Sequence, residues 1–131
     1  MQYLFTAVFT PFADGSGYEA CIPDIPHCIT SGHDLPDALR MVADAASLML
    51  VDMEDDHLPI PQATPPQQFR APEGSVTSLV CLDTDQYRRI NDARAVRKNV
   101  SIPAWMNRLV EQNGINCSQI LQEALRSRFQ Q

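Results

Sequence analysis

Basic residues are scarce in this 131-residue chain: 10 Lys and Arg stand against 16 Asp and Glu, for a formal net charge of -6 and a pI of about 4.8. Taken as an average, that acidity argues against nucleic-acid binding. The chain also lacks any C-x-x-C pair. Its four cysteines stand at 21, 28, 81 and 117, irregularly spaced and mostly inside apolar runs. Such spacing speaks for reduced thiols in a cytoplasmic protein, not for a disulfide scaffold. His27, His33 and His57, taken with Cys21 and Cys28, match no closed zinc pattern. No metal or cofactor is therefore expected, and turn and loop positions suit the three histidines. The opening MQYLFTAVFTPFADG has neither the basic n-region nor the cleavage site of a signal peptide. Charges break every apolar stretch well short of the roughly 20 residues a membrane span needs. There is no internal repeat.

What is present fits an ordered globular protein, with 44% apolar and 20% charged residues. The length allows one ordinary domain, or a small domain and a smaller module. The average charge hides an asymmetry. Residues 1–75 hold 11 Asp/Glu and 2 Arg, a balance of -9, whereas residues 76–131 hold 5 Asp/Glu and 8 Arg/Lys, a balance of +3. Two electrostatic roles are implied: an acidic half suited to a basic partner, and a mildly basic half able to meet phosphate.

Along the first half, QYLFTAVF is rich in aromatic and β-branched residues and predicts a strand. The Asp14-Gly15-Ser16-Gly17 cluster predicts a turn. GYEACI alternates Tyr18, Ala20 and Ile22 against Glu19 and Cys21, as a second, hairpin-paired strand would. CITS at 28–31 can form a short third strand. Asp34 then has the chemistry of a helix N-cap. Leu35, Ala38, Leu39, Val42, Ala46, Met49, Leu50 and Met53 recur at helical spacing, predicting one amphipathic helix over about 34–55 that lies on the sheet. Residues 59–75 hold five of the ten prolines, which predicts an extended surface connector, neither helix nor central strand. SVTSLVCLD predicts a buried strand, with Asp83 or Thr84 capping a short helix through Tyr87 and Ile90 towards Ala95.

The chain closes with a different unit. From Arg97 to Ile102, Val100 and Ile102 alternate against Arg97, Asn99 and Ser101, as on a strand. Pro103 suits a first helical position. Met106, Leu109 and Val110 make an apolar stripe flanked by Trp105. Gly114 suits a left-handed helix end. Asn116 and Gln119 form a capping box for a second helix whose apolar face is Ile120, Leu121, Ala124, Leu125 and Phe129. A unit this small needs a partner to fold. Two copies can pair their strands and share a core of Val100, Ile102, Met106, Leu109, Ile120, Leu121 and Leu125. The outward Arg97, Asn99 and Ser101 would then sit doubled on a ribbon of the width that enters the DNA major groove, where Arg and Asn reach guanine and adenine edges. Lys98 alternates away from that row and suits a phosphate. The amides beyond Asn116, at Cys117 and Ser118, can hold another.

These residues carry a resemblance. The strand-Pro-helix-Gly-helix pattern resembles a ribbon-helix-helix DNA-binding module. The whole chain resembles the HicB antitoxin family, on DGSGYEACIPDIPHCITSGHDLPDALRMVADAASLML at 14–50 and VRKNVSIPAWMNRLVEQNGINCSQILQEAL at 96–125. The resemblance implies an α+β protein: a partly degraded RNase H-like β-β-β-α-β domain over 1–94, its connector at 59–75, and a ribbon-helix-helix module over 95–131. It also implies two partners. One is a small HicA ribonuclease toxin, which the first domain neutralises through residues that the sequence does not single out. The other is operator DNA. A homodimer is expected, and a tetramer if the first domain also associates.

An RNase H-like fold raises the alternative of an RNA-processing nuclease with a dimerising tail. Two-metal nucleases need several carboxylates converging on paired ions. The first two strands offer Glu19 and little else, and Asp52, Glu54, Asp55 and Asp56 read as a solvated helix end. No catalytic residue is therefore assigned, and the protein is expected not to be an enzyme.

Overall fold

β1 (Gln2–Pro11) organises the first half of the chain, burying Phe5, Ala7 and Phe9 on one face at the two-residue period of a strand. The computed structural model describes residues 1–92 and 94–129. It divides into two units, Met1–Arg94 and Ala95–Gln131.

In the first unit, β1 is followed by β2 (Tyr18–Cys21), β3 (Ile29–Gly32), α1 (Leu35–Asp55), β4 (Val76–Asp83) and α2 (Thr84–Asn91). The strands form one sheet in the order β3-β2-β1-β4, antiparallel throughout. This is an α+β architecture with the expected β-β-β-α-β order. The first hairpin closes where the Phe12 amide donates to the Gly17 carbonyl at 2.9 Å. Gly32 is required by close approach. A Cβ there would lie 2.3 Å from the Ala38 nitrogen, because the first turn of α1 rests directly on the end of β3.

α1 starts as expected: the Asp37 amide donates to the Asp34 carboxylate at 2.8 Å, and the Asp37 carboxylate accepts from the His33 amide at 2.9 Å. Ala38, Val42, Ala46 and Leu50 are fully buried in a row four residues apart. Leu35 and Leu39, predicted for the same stripe, are exposed. The physical reason is drift: a four-residue row rotates about 40° per step, so near the start of α1 the sheet lies under Ala38, with Leu39 about 100° away. β4 is likewise half-buried. Val80 and Leu82 join the core while Leu79 and Cys81 are exposed on the outer face of the sheet.

The proline-rich connector departs from the expectation of a plain extended segment. Pro66–Gln68 make one 3-10 turn, since the Gln68 amide reaches the Pro65 carbonyl at 2.9 Å, a bond that proline at the first position does not obstruct. The connector is also tied down. Thr64 donates its amide and its hydroxyl to the Asp24 carboxylate at 2.8 and 2.7 Å, and Ile60 and Ala63 pack on the core. α2 is capped by Asp83, whose carboxylate accepts from the Asp85 and Gln86 amides, and it ends at Asn91, short of the expected run towards Ala95.

The second unit holds α3 (Ala104–Asn113) and α4 (Cys117–Phe129). Pro103 caps α3 and does not begin it. Its ψ of 146° is extended, yet its carbonyl accepts from the Met106 and Asn107 amides at 3.0 and 3.1 Å. Gly114 ends the helix at φ 60°, ψ 37°. Residues 95–103 are assigned to no helix or strand in the single chain. A strand is defined by its pairing, and one copy supplies no second strand.

Candidate functional site

The second unit carries side chains with nothing to pack on. Neither α3 nor α4 buries a single residue. Val100 is 61% exposed, Trp105 63% and Phe129 71%, and Ile102, Met106, Leu109, Ile120 and Leu125 are exposed as well. Leu121 alone of the predicted shared core is half-buried. One copy therefore brings these residues onto common helical faces without closing a core around them. Arg97, Lys98, Asn99 and Ser101 are exposed beside them. At the start of α4 the Asn116 side chain accepts from the Gln119 amide at 3.1 Å. The reciprocal half of the predicted capping box is missing, because the Gln119 amide group turns forward to Glu123 at 3.2 Å. The Cys117 and Ser118 amides open the helix, where no earlier turn offers an acceptor.

In the first unit the acidic end of α1 is not simply solvated. Glu54 accepts from the Tyr3 hydroxyl at 2.7 Å, the Thr84 hydroxyl at 3.0 Å and the Arg88 guanidinium at 3.1 Å. Arg88 also reaches Asp55 at 2.9 Å. Burial acts to raise the Glu54 carboxyl, but the three hydrogen bonds outweigh it and hold the group below its ordinary range. Burial first, then the bond to Glu54 and its charge, push the Tyr3 hydroxyl up to about 12. This joint ties β1, α1 and α2 together. No local sign of it exists in the sequence, since its members run from Tyr3 to Arg88, 85 positions apart, and share no motif.

The carboxylates do not converge as two-metal chemistry requires. Thr10 pairs with Glu19 and Gln2 with Asp83, so these two acids stand beside opposite ends of β1. Eight residues of strand separate them, roughly 27 Å at about 3.4 Å per residue. Among the described residues, no group of three or more His, Cys, Asp or Glu side chains could hold a metal ion. His27 and His57 occupy left-handed backbone positions at φ 64° and 55°, in a turn and just beyond α1. No described helix is long and apolar enough to cross a membrane.

Residues 5–125 match the family model described as the HicB_like antitoxin of bacterial toxin-antitoxin systems. A protein of Haemophilus phage HP1, an uncharacterized 14.9 kDa protein from the rep-hol intergenic region, is 26% identical over 97 residues, covering 73% of this chain and 71% of the phage protein. Three solved structures share the fold. A chain of a toxin-antitoxin complex from Streptococcus pneumoniae has a TM-score of 0.59 and 22% identity, over 98% of this chain and 99% of that one. The antitoxin HicB3 has a TM-score of 0.53 and 19% identity, over 97% and 98%. The antitoxin HicB of Burkholderia pseudomallei has a TM-score of 0.52 and 22% identity, over 97% and 98%. With the family match running across nearly the whole sequence and through both units, this chain belongs to the HicB-like antitoxin family of bacterial toxin-antitoxin systems.

Proposed function

We propose that this antitoxin neutralises a small HicA-type ribonuclease through residues 1–94 and represses its own operon by binding operator DNA through residues 95–131, in the cytoplasm and without a cofactor. The observation that carries the DNA half is the uncovered apolar face of the second unit, in which α3 and α4 bury nothing. A second copy covers that face most economically by pairing the two 97–102 segments as a ribbon-helix-helix dimer. The pairing turns Arg97, Asn99 and Ser101 outward together for base edges, leaves Lys98 for the backbone, and aims the Cys117 and Ser118 amides at flanking phosphates.

The toxin half rests on family membership and on charge. The first unit is a partly degraded RNase H-like domain in this reading, retained for binding. The separation of Glu19 from Asp83 weighs against the alternative of a nuclease. Co-expression with the neighbouring reading frame tests both halves. A small basic product should co-purify and lose its ribonuclease activity, and the complex should retard the promoter fragment. A product that stays free, or a promoter fragment bound no better than a scrambled one, would overturn the corresponding half.

A further inference from the structure

The two edges of the sheet are not alike. The alternation of its hydrogen bonds can be read from the strand ends. The Thr84 amide donates to the Met1 carbonyl at 3.1 Å, so in the same register Leu82, Val80, Ser78 and Val76 turn their amides and carbonyls towards β1. Thr77, Leu79 and Cys81 turn theirs away, to the free edge. The Phe12 bond to Gly17 gives the same phase for the other side of β1. Among the described residues, the amides of Thr77, Leu79 and Cys81 reach no acceptor outside the sheet, and at this edge only the Ser78 hydroxyl touches a carbonyl, that of Leu79 at 3.2 Å. All three residues are exposed. At the opposite edge β3 has only four residues, and its Ile29 amide is already bonded to the His27 carbonyl.

Long edge strands usually carry a charge, a proline or a bulge that blocks pairing. From Val76 to Leu82 β4 has none of these residues. On its core side the edge opens into a groove of about 470 Å³ between α1 and α2, with Ala43, Tyr87 and Ile90 as apolar lining and Asp44 of α1 as a charge unpaired among the described residues. Arg40 also lies there, but its guanidinium is paired with Asp37. On the other side stand Leu79 and, on the neighbouring strand, Leu4, each about half exposed. Residues 1–94 hold 14 Asp/Glu and 5 Arg, a balance of -9, so a second copy of this domain meets like charge at this edge.

We infer that the free edge of β4 is the toxin-docking site, and that it takes an extended basic segment of the toxin as a fifth strand. The inference rests on the antitoxin reading and specifies where it acts. Main-chain bonds to Thr77, Leu79 and Cys81 hold the segment. Its alternate side chains are basic towards Asp44 and apolar towards Leu79 and Leu4.

The test is amide hydrogen exchange on the full chain, alone and with a catalytically disarmed product of the neighbouring reading frame. The Thr77, Leu79 and Cys81 amides should exchange freely in the antitoxin alone and slow by at least about ten-fold in the complex, while Ser78, Val80 and Leu82 are protected in both. Leu79→Pro removes an edge donor without removing a bond to β1, a position where a strand tolerates proline. It should weaken capture by at least about ten-fold, and more than Leu79→Ala, which keeps the donor. If Leu79→Pro fails to fold, the exchange pattern of the unaltered chain decides alone. A complex that forms with the three amides still exchanging freely overturns the inference and leaves the antitoxin reading standing. Protection of the same amides in the antitoxin alone, rising with its concentration, overturns it in favour of a second copy. Failure of the unaltered chain to capture the product overturns the antitoxin reading and this inference together.

Discussion

Replacing Glu54 with glutamine tests the joint that ties α2 to the rest of the first unit. The carboxylate has one oxygen for two hydroxyls, Tyr3 at 2.7 Å and Thr84 at 3.0 Å, and the other for Arg88 at 3.1 Å. Glutamine keeps a single acceptor oxygen. If that oxygen stays with the hydroxyls, the amide NH₂ faces the guanidinium. Both hydroxyl bonds lose their charge assistance, about 0.5–1 kcal/mol each. The ion pair itself adds at most about 1 kcal/mol, because the Arg88 side chain is 36% exposed and keeps Asp55 at 2.9 Å. Thr84 also retains the Met1 carbonyl at 3.2 Å. The expected cost is about 1–3 kcal/mol near neutral pH, read from urea titrations of the full chain followed by amide resonances of the first unit. The pH dependence carries a sign. A carboxyl held low in the folded state stabilises above its unfolded pKa, and that contribution is lost as pH falls through the folded value. The unaltered protein should therefore lose its advantage over Glu54→Gln as pH drops below about 4.5, the ordinary value for this group. A variant within about 0.3 kcal/mol of the parent at pH 7, or a gap that does not close in acid, would refute the reasoning.

Other expectations follow from single contacts. Gly32→Ala places a Cβ 2.3 Å from the Ala38 nitrogen and should lower stability by about 1–3 kcal/mol or more, seen as a lower urea midpoint, because backbone must move to admit it. The Tyr3 hydroxyl, up to about 12 in the fold, stabilises fully below about 10, and this is lost as pH rises towards 12, so an alkaline denaturation curve should flatten in Tyr3→Phe. Leu109→Asp or Leu125→Asp should turn the proposed dimer into a monomer by light scattering, since both residues stand exposed in one copy. In the proposed ribbon, Arg97→Ala and Asn99→Ala should each cost about 1–3 kcal/mol on the promoter fragment and narrow its advantage over a scrambled one. Lys98→Ala should weaken both fragments alike and flatten the salt dependence.

Much of this protein is decided locally. Asp34 and Asp83 cap their helices because a short carboxylate before a helical run meets free amides wherever it occurs. Gly114 ends α3 because a left-handed residue is cheap only for glycine. The pairing of β1 with β2 follows from alternation and a four-residue turn cluster. The proline-rich connector is visible as irregular, but not its single 3-10 turn or the bond from Thr64 to Asp24, 40 residues back. Leu35 and Leu39 show the same limit, since periodicity identifies an apolar face without saying where the sheet ends beneath it.

The sequence by itself determined the order of the elements, the acidic first half, the alternating polar row of Arg97, Asn99 and Ser101 and the family resemblance, all properties of neighbours in the chain or of composition. Only the tertiary structure decided that Glu54 is consumed by Tyr3, Thr84 and Arg88, that Glu19 and Asp83 stand at opposite ends of β1, and that Thr77, Leu79 and Cys81 face an open edge. The Glu54 joint needs α1 and α2 brought to β1, and the places of Asp83 and of the open edge need the register of β4 on β1, strands far apart in sequence. A shift of one residue would turn every amide and side chain of β4 to the other side, and nothing within the strand itself fixes which way it falls.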